Sequence, residues 1–333
     1  MKKNFILLLV ASLGLVLFGC KKDKPTDIVI AEVTHSVFYA PQYVALSKGF
    51  FKDEGLNVSY ITTPGADKVM AALLSKDCHI GLAGAEASIY VYNEGQKNYA
   101  INFAQLTQKD GNFLVGRSKI TNFNFDMLKG KEILGGRKGG MPEMVLEYAL
   151  KKNGLVVGRD DATKDVNVRT DVQFAALAGA FTSGQGDYVI LFEPTATILE
   201  RAGNGHVITS MGQETGIIPY TNYFATKSYI EKNPEIIQKF TNAIYRAQQW
   251  VYSHTPKEVA QACLEYFPDS SLTELTMVME RYMLVEAWAK DPVLKEEPFI
   301  NFLKIMEEAG ELTKRPPYEK IVLTSYAKKA MEG

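Results

Sequence analysis

Two glutamates follow short apolar segments that predict buried strands, and each lies at the start of a predicted helix. Glu86 comes after residues 80–83, and Glu193 comes between residues 188–192 and Pro194. A carboxylate in this position can complement the helix dipole, or it can accept hydrogen bonds from a ligand. Both roles stay open for Glu86, whereas a place between a buried strand and a helix-starting proline favours ligand contact for Glu193.

The glycine-rich segment 135–140 is a second place where the sequence could bind a ligand. It follows predicted strand 132–134 and precedes predicted helix 143–152, so its backbone N–H groups could hold an oxygen-rich anion, assisted by Arg137 or Lys138. The segment has neither a Gly-Lys-Ser/Thr sequence nor the Gly-x-Gly-x-x-Gly spacing, so nucleotide hydrolysis is not indicated. A tight turn that needs the conformational freedom of glycine explains it equally well.

Aromatic side chains lie near several predicted strand ends and could stack on the two faces of a flat ring. Because aromatic residues make up 11% of the chain, some of them must belong to the core instead. The candidates for stacking are Phe38, Tyr39, Phe192, Tyr220 and Tyr223.

Metal-assisted and nucleophilic chemistry is not indicated by the spacing of the residues that would carry it. The four histidines occur singly, at His35, His79, His206 and His254. Of the three cysteines, Cys78 and Cys263 could pair or could stay reduced in the core. With 37 Lys+Arg against 38 Asp+Glu, the net charge of -1 excludes a broad basic surface for nucleic acid. We therefore expect no catalytic residue, no metal and no cofactor.

The N-terminal residues have the pattern of a secretion signal. Two lysines precede an apolar run over residues 5–18, which is shorter than the ~20 residues that span a bilayer but fits the core of a signal peptide. Leu-Phe-Gly-Cys at residues 17–20 resembles the bacterial lipobox, in which the cysteine is lipidated; a buried helix with a chance cysteine is the alternative. We expect a signal peptide over 1–19, lipidation of Cys20, and a tether over 20–26 at the extracytoplasmic face of the cell membrane.

From residue 27 onward, short apolar strands alternate with helices. This alternation predicts parallel βαβ units with helices on both faces of the sheet, and such sheets bind ligands at the carboxyl ends of their strands. Asp171 is predicted to cap a helix that ends near residue 183. After residue 233 the chain is predicted to be helical almost to its end, with one helix over 271–289.

Residues 39–58, YAPQYVALSKGFFKDEGLNV, resemble the opening segment of one family of solute-binding proteins. Members of that family serve ABC importers for nitrate, sulfonates, taurine and thiamine-pyrimidine precursors. Three shorter segments lie where the family has counterparts, at 76–81, 128–131 and 184–188. The resemblance implies a small-molecule solute, and as partners an ABC permease and its ATPase, for a lipid-anchored monomer that is not an enzyme.

The resemblance also implies an α/β fold of the type II periplasmic-binding-protein kind, with two lobes and two crossover strands as the hinge. The crossovers are expected near 112–117 and 223–227. Lobe one would then comprise residues 27–116 and 225–333, and lobe two residues 117–224. Closure of two such lobes surrounds a solute and removes it from water.

Two other classes of function stay open at this point. Pyrimidine-forming synthases share this fold and resemble the family, but they depend on a cysteine-rich stretch and a cofactor lysine, and this sequence has no cysteine cluster. A membrane-tethered sensor domain is the other alternative. Thiamine-pyrimidine binders of the family carry an Asp-Trp pair after the first strand, from which Glu-Val-Thr-His at residues 32–35 departs.

Carboxylates together with aromatic rings favour a nitrogenous heteroaromatic solute, such as thiamine or its pyrimidine precursor, because carboxylates accept hydrogen bonds from amino groups and repel anions. Taurine, another alkyl sulfonate or nitrate, held by the glycine-rich segment, is the alternative ligand. The predicted ligand-binding residues are His35, Phe38, Tyr39, Gly65, Ala85, Glu86, Gln105, Lys138, Gly139, Met141, Phe192, Glu193, Tyr220 and Tyr223.

Overall fold

The computed structural model describes residues 24–333 and places them in two α/β lobes, each built on one sheet. The predicted signal peptide, Cys20 and the first residues of the tether lie outside the described residues. Within residues 24–333, no helix has both the length and the apolar character needed to span a membrane.

The strands alternate with helices along most of the chain, as the sequence predicts. In chain order the strands are β1 (Thr26–Glu32), β2 (Leu56–Thr62), β3 (Ile80–Ala83), β4 (Ala100–Thr107), β5 (Phe113–Gly116), β6 (Lys131–Leu134), β7 (Val157–Arg159), β8 (Val166–Arg169), β9 (Tyr188–Leu191), β10 (His206–Ser210) and β11 (Thr221–Thr226).

The three longest helices follow β11. In chain order the helices are α1 (Ala40–Ser47), α2 (Phe50–Asp53), α3 (Ala66–Ser75), α4 (Glu86–Asn93), α5 (Met141–Lys152), α6 (Leu177–Thr182), α7 (Thr195–Arg201), α8 (Met211–Thr215), α9 (Lys227–Lys232), α10 (Pro234–Ser253), α11 (Pro256–Cys263), α12 (Leu272–Leu284), α13 (Glu296–Glu308), α14 (Tyr318–Ile321) and α15 (Ser325–Glu332).

The sheet of lobe one has the order β2-β1-β3-β11-β4, and that of lobe two has the order β10-β5-β9-β6-β8-β7. β1 pairs in parallel with β2 and β3, and β6 pairs in parallel with β8 and β9, so the predicted parallel units are present in both lobes. In each sheet one strand from a crossover runs antiparallel to its neighbours: β11 between β3 and β4, and β5 between β10 and β9.

The chain passes between the lobes in two segments, residues 108–112 and 211–220. Both lie a few residues before the expected crossovers, because β5 already pairs in the second sheet and β11 already pairs in the first. The two segments are hydrogen-bonded to each other, through Met211 N–H to the Asn112 carbonyl at 3.0 Å and Ile218 N–H to the Gln108 carbonyl at 2.9 Å. They form a joint that brings the strand ends of both sheets together.

Two helix predictions are wrong at their ends. Asp171 does not cap a helix: its carboxylate accepts from Arg169 at 2.7 Å, and α6 begins only at Leu177. The predicted helix 271–289 ends at Leu284, and the chain turns at Glu286, which has a left-handed φ of 52°. Its start is where the sequence predicts, with a capping box at the N-terminus.

The buried apolar residues form three clusters, and the largest of them includes residues of both lobes. On β1, Ile28 and Ile30 are fully buried beneath the helices of lobe one. Cys78 and Cys263 are buried in the core and are not paired with each other. Of the two alternatives that the sequence leaves open for these thiols, the structure has the reduced one.

Candidate functional site: an acidic cavity between the lobes

A cavity of about 340 Å³ lies where the two lobes meet. Its walls are formed by α3 and α4 of lobe one, by the glycine-rich segment 135–140 of lobe two, and by Glu311 from the C-terminal part of the chain. Four acidic side chains line it against two basic ones; they are Asp67, Glu86, Glu94 and Glu311, and Arg137 and Lys138. The cavity is therefore suited to a solute that donates hydrogen bonds or carries positive charge.

Glu86 is the buried carboxyl of this cavity, with 3% of its surface exposed. Burial raises the pKa of Glu86 to about 7, although backbone N–H groups, including that of Met141, and the guanidinium of Arg137 oppose the shift. Its Oε2 atom has no hydrogen-bond partner among the described residues. The carboxyl lies over Gly84, where a Cβ would be only 1.9 Å from Oε2, so only glycine at that position leaves room for it.

The glycine-rich segment is occupied by its own protein contacts. The Gly139 N–H donates to Glu143 Oε2 at 3.1 Å, and the Gly140 N–H donates to the Arg137 carbonyl at 3.2 Å. Glu143 is fully buried, and burial together with the neighbouring Glu147 raises the pKa of Glu143. An anion at this helix start would therefore meet a carboxylate instead of free N–H groups.

An aromatic cluster lies at the joint between the lobes, and its rings are not among the residues that line the cavity. Phe38 stacks on Phe192 from the opposite lobe, with ring centroids 5.1 Å apart, and Tyr220 meets both rings edge-on. Gly111 of the first crossing segment lies below this pair, and a Cβ there would approach Phe38 to 2.5 Å and Phe192 to 2.9 Å. Four of the predicted stacking residues thus come together, since Tyr39 also lies against Phe38 with ring centroids 5.7 Å apart, but there is no space between the rings of Phe38 and Phe192 in this arrangement.

Asp110 is a buried acid in the crossing segment that sequence reasoning missed. Its Oδ1 accepts from the N–H and the side-chain amide of Asn112 at 2.8 and 2.7 Å, and its Oδ2 has no hydrogen-bond partner among the residues described. Burial raises the pKa of Asp110 to about 7 against those hydrogen bonds. A polar residue beside Gly111 looks like an ordinary turn in the sequence, so no signal distinguished it.

Glu193 is located at the lobe interface but its carboxylate is engaged by protein groups. It accepts from the N–H and the hydroxyl of Thr197, both at 2.9 Å, and from Arg281 Nη1 at 2.7 Å. Its N–H and carbonyl bond to Tyr282 and Ser36 of lobe one. The capping role is therefore the observed one, and the prediction of ligand contact did not foresee Arg281, which comes from a distant helix.

Two further predicted residues lie in lobe one, His35 with 35% of its side chain exposed and Tyr223 fully buried. His35 bonds to the buried Glu32 at 3.0 Å and to the Tyr266 carbonyl at 2.8 Å. Tyr223 donates to Gln42 at 3.1 Å and packs edge-on against a core ring, away from the cluster that holds Phe38. Both side chains are hydrogen-bonded to protein groups in the structure, and their contact with a ligand stays a prediction.

The remaining predicted residues divide between cavity and core. Gly139, Lys138 and Met141 lie on the lobe-two side, where Lys138 is 61% exposed along its side chain and 3.9 Å from Glu311. Gly65, at the start of α3, has a φ of 113° that favours glycine. Gln105 bonds to the Thr107 carbonyl on its own strand at 3.1 Å, and the two other residues, Ala85 and Tyr39, are buried beside Glu86 and Thr221 respectively.

Tyr90 and Glu311 are cavity residues that the sequence analysis did not single out. Tyr90 donates to the Gly139 carbonyl at 3.1 Å. It lies four residues after Glu86, one helical turn along the same face, and that spacing could have indicated it. Glu311 lies far along the chain from the rest, and nothing in its sequence context marks it. Among residues 24–333 there is no cluster of His, Cys, Asp and Glu that could hold a metal ion.

Comparison of the sequence with known proteins identifies relatives along nearly the whole chain. The chain is 47% identical over 314 residues to the Bacillus subtilis (strain 168) protein named "Putative binding protein YtlA", which covers 94% of this chain and 92% of that one. It is 28% identical over 239 residues to 4-amino-5-hydroxymethyl-2-methylpyrimidine phosphate synthase of Aspergillus parasiticus, covering 69% of this chain and 66% of the enzyme.

Solved structures share the two-lobed architecture. The alkanesulfonate-binding protein SsuA from Xanthomonas axonopodis pv. citri, bound to MOPS, has a TM-score of 0.71 at 16% identity, covering 91% of this chain and 99% of that one. The periplasmic nitrate-binding protein NrtA from Synechocystis PCC 6803 also has a TM-score of 0.71, at 14% identity, covering 93% and 89%. At these identities the likeness concerns the fold alone, and it confirms the predicted periplasmic-binding-protein fold. A family model described as NMT1/THI5 like matches residues 37–258, and the chain belongs to this NMT1/THI5-like family.

Proposed function

We propose that the protein is an extracytoplasmic solute-binding protein that captures a small molecule between its lobes and delivers it to an ABC importer. Family membership and the 47% identity to a protein named as a binding protein support this role. The signal peptide and the Cys20 lipid anchor expected from the sequence would hold the protein, as a monomer, beside a permease and its ATPase. The solute that we propose is a nitrogenous heteroaromatic molecule, such as thiamine or its pyrimidine precursor.

The burial of two carboxyl groups at the start of α5 is the observation that carries this choice of ligand. Glu86 and Glu143 both lie at the helix end where an oxyanion would otherwise be stabilised, with 3% and 0% of their surfaces exposed. Neither carboxyl group attracts a sulfonate or nitrate at this place, because each repels the anion when it is ionised and Glu143 already occupies the N–H of Gly139. An amino group or a protonated ring nitrogen would instead find the unpartnered Oε2 of Glu86.

The aromatic cluster supports the same class of solute. Phe38 and Phe192 come from opposite lobes, so opening of the lobes would separate the rings and closure on a flat solute would stack them on it. Tyr220 would border the same space. Among the site residues we therefore assign Glu86 to hydrogen bonding and Phe38, Phe192 and Tyr220 to stacking.

The relatives suggest the same chemistry and one alternative. The fungal synthases are named for a pyrimidine phosphate, a nitrogenous ring of the proposed class. An enzymatic role is disfavoured, because Cys78 and Cys263 are single buried thiols and no cysteine-rich stretch occurs. The fold neighbours named for alkanesulfonates and nitrate make an oxyanion the alternative solute, but the two buried carboxyls oppose it.

Titration calorimetry with thiamine, 4-amino-5-hydroxymethyl-2-methylpyrimidine, taurine and nitrate tests the proposal. One of the two nitrogenous compounds should bind, and Glu86→Gln should weaken its binding about tenfold or more, because a hydrogen bond to a charged group contributes ~1.5–3 kcal/mol. Glu94→Gln is the matched control, since Glu94 lies on the exposed rim of the same cavity. Binding of taurine or nitrate that improves in Glu86→Gln would overturn the ligand class.

A further inference from the structure

A C-terminal segment connects the two lobes at the side of the cavity. We call α13 and residues 309–314 the strap. The strap follows β11 in the chain, so it belongs by sequence to lobe one, yet α13 packs against α5 of lobe two. At its other end, Asn93 of α4 in lobe one donates to the Lys314 carbonyl at 2.8 Å. The strap therefore spans the lobes outside the two crossing segments.

Lobe two holds the strap through the end of α13. The last carbonyls of a helix lack partners within the helix and attract cations. Lys151 Nζ donates to the Glu308 carbonyl at 2.9 Å, and Arg159 Nη2 donates to the Ala309 carbonyl at 2.8 Å. Arg159 is itself anchored on α5, with its Nε 2.8 Å from Glu143 and 2.7 Å from Glu147. The strap is thus held by Lys151, which lies on α5, and by Arg159, which is bonded to α5.

Glu311 connects this contact to the cavity wall. Its Oε1 lies 3.0 Å from Arg159 Nη1 and 3.9 Å from Lys138 Nζ. Its Oε2 packs against Gly139, where a Cβ would be 3.1 Å away. Gly139 is held from a second side by Tyr90. The glycine-rich segment is therefore gripped between two residues that lie outside lobe two, one on α4 and one on the strap.

We propose that the strap is a latch that keeps the glycine-rich segment seated over the cavity, with Glu311 as the positioning residue. Glu311 acts through Arg159, Lys138 and Gly139, so it sets how long a solute stays enclosed and not which solute is recognised. This inference rests on the proposed solute-binding function for its meaning, but the seating of the segment is a property of the protein without solute. Release of the latch opens the side of the cavity while both crossing segments stay in place.

Hydrogen–deuterium exchange on the solute-free protein tests the latch directly. The N–H groups of Gly139 and Gly140 are hydrogen-bonded within lobe two, to Glu143 and to the Arg137 carbonyl, so their exchange reports how firmly the segment is held in its conformation. Glu311→Gln should speed exchange in peptides that cover 135–140 by about three- to fivefold, the scale of one partly exposed ion pair. Arg159 keeps Glu143 and Glu147 as partners in this variant, so the fold is retained.

Glu307→Gln is the matched control. Glu307 lies on the same strap and its carboxylate pairs with Arg315 at 2.6 Å, a residue that also lies outside lobe two in the chain. Its exchange over 135–140 should equal that of the wild type. Equal exchange in the wild type, Glu311→Gln and Glu307→Gln would overturn the latch, whether or not any solute has been found.

Stopped-flow kinetics with 4-amino-5-hydroxymethyl-2-methylpyrimidine distinguish a latch from a recognition contact. The dissociation rate should rise about three- to fivefold in Glu311→Gln, and the association rate should stay within about twofold. A lower association rate with unchanged dissociation would make Glu311 a recognition residue and overturn the latch. If the wild type does not bind this probe, the proposed ligand fails, while the exchange experiment still decides the latch.

Discussion

Glu86 and Glu193 occupy corresponding places in the two lobes, and the structure gives them opposite environments. Each follows a buried strand at the start of a helix, and each is almost fully buried. Glu193 meets the guanidinium of Arg281 at 2.7 Å and two donors of Thr197. Glu86 has only backbone groups and the more distant Arg137 to stabilise its charge, and one of its oxygens is unpartnered among the described residues.

The comparison shows that the role of a buried carboxylate depends on whether a cation from a distant part of the chain pairs with it. Arg281 lies 88 residues after Glu193 and ties α12 of lobe one to α7 of lobe two, also binding Glu200 at 2.6 Å. Through this ion pair Glu193 connects lobe two to lobe one, and we call the Glu193–Arg281 pair the clasp. Within the described chain, no cation makes a comparable contact with Glu86, so the Glu86 carboxyl can still accept a hydrogen bond from a solute.

The largest effect should come from breaking the clasp. Arg281→Met keeps the stem of the side chain but leaves the Glu193 carboxylate buried without its cation. We expect the free energy of unfolding at pH 7 to fall by about 3 kcal/mol, as for other ion pairs that lose one partner in the interior. Urea denaturation measures this change.

The double variant Arg281→Met/Glu193→Gln is the control for that loss. Removing the stranded charge should restore part of the stability, since much of the cost comes from the uncompensated carboxylate. If the single and double variants unfold at the same urea concentration, the guanidinium is not what stabilises the charge of Glu193.

At Glu86, in contrast, removal of the ionisable group should increase the free energy of unfolding at high pH. Burial raises the pKa of Glu86 from its usual 4.5 to about 7, so the folded protein binds more protons than the unfolded chain between these values. The unfolding free energy should therefore fall as the pH rises from 4.5 to 7, by up to about 3 kcal/mol from this group. Glu86→Gln should match the wild type near pH 4.5 and be the more stable protein at pH 8.

Urea denaturation of both proteins at pH 4.5, 6 and 8 gives the profile. The raised pKa values of Asp110 and His35 produce slopes of the same sign, but these groups are present in both proteins and cancel in the difference. A difference between the two proteins that does not change with pH would mean that Glu86 titrates normally, and that the comparison with Glu193 has no energetic basis.

The sequence alone predicted the structure correctly where a local pattern determines it. The strand–helix alternation predicted the parallel units, and the helix predicted over 143–152 is present as α5, which begins at Met141 with Pro142 in its first turn. The stacking of Phe38 on Phe192 across the lobes confirms that residues after these strands meet. Such outcomes follow from the carboxyl ends of strands sharing one edge of the sheet.

The sequence alone did not predict the contacts of a residue whose partner lies far away in the chain. The sequence did not show that the Glu193 carboxylate pairs with Arg281, because Arg281 is on another helix of the other lobe. His35 was predicted to contact the ligand, and the sequence did not show which groups bond to it and to Glu32. In the structure these are four residues from three segments: Gln42, Tyr43, Thr62 and Tyr266. The crossing segments were misplaced by a few residues because strand pairing, and not composition, fixes where a chain leaves a sheet. Local patterns contain none of this information.

The smallest effect should come from Lys138, which the oxyanion alternative makes essential. Its side chain is largely solvated, and its Nζ is 3.9 Å from Glu311, so the pair contributes little. With a nitrogenous solute, Lys138→Ala should change affinity by less than about twofold, because the cation does not face a group that the solute needs.

Arg137→Ala is the useful comparison, since Arg137 lowers the pKa of Glu86 and its loss should favour the protonated carboxyl. Calorimetry at pH 7 with 4-amino-5-hydroxymethyl-2-methylpyrimidine should therefore show a clear change for Arg137→Ala and almost none for Lys138→Ala. The reverse order, with a tenfold loss on removing Lys138, would mean that the glycine-rich segment holds an anion despite the two carboxyl groups beside it, and that Glu86 resembles Glu193 in serving the fold.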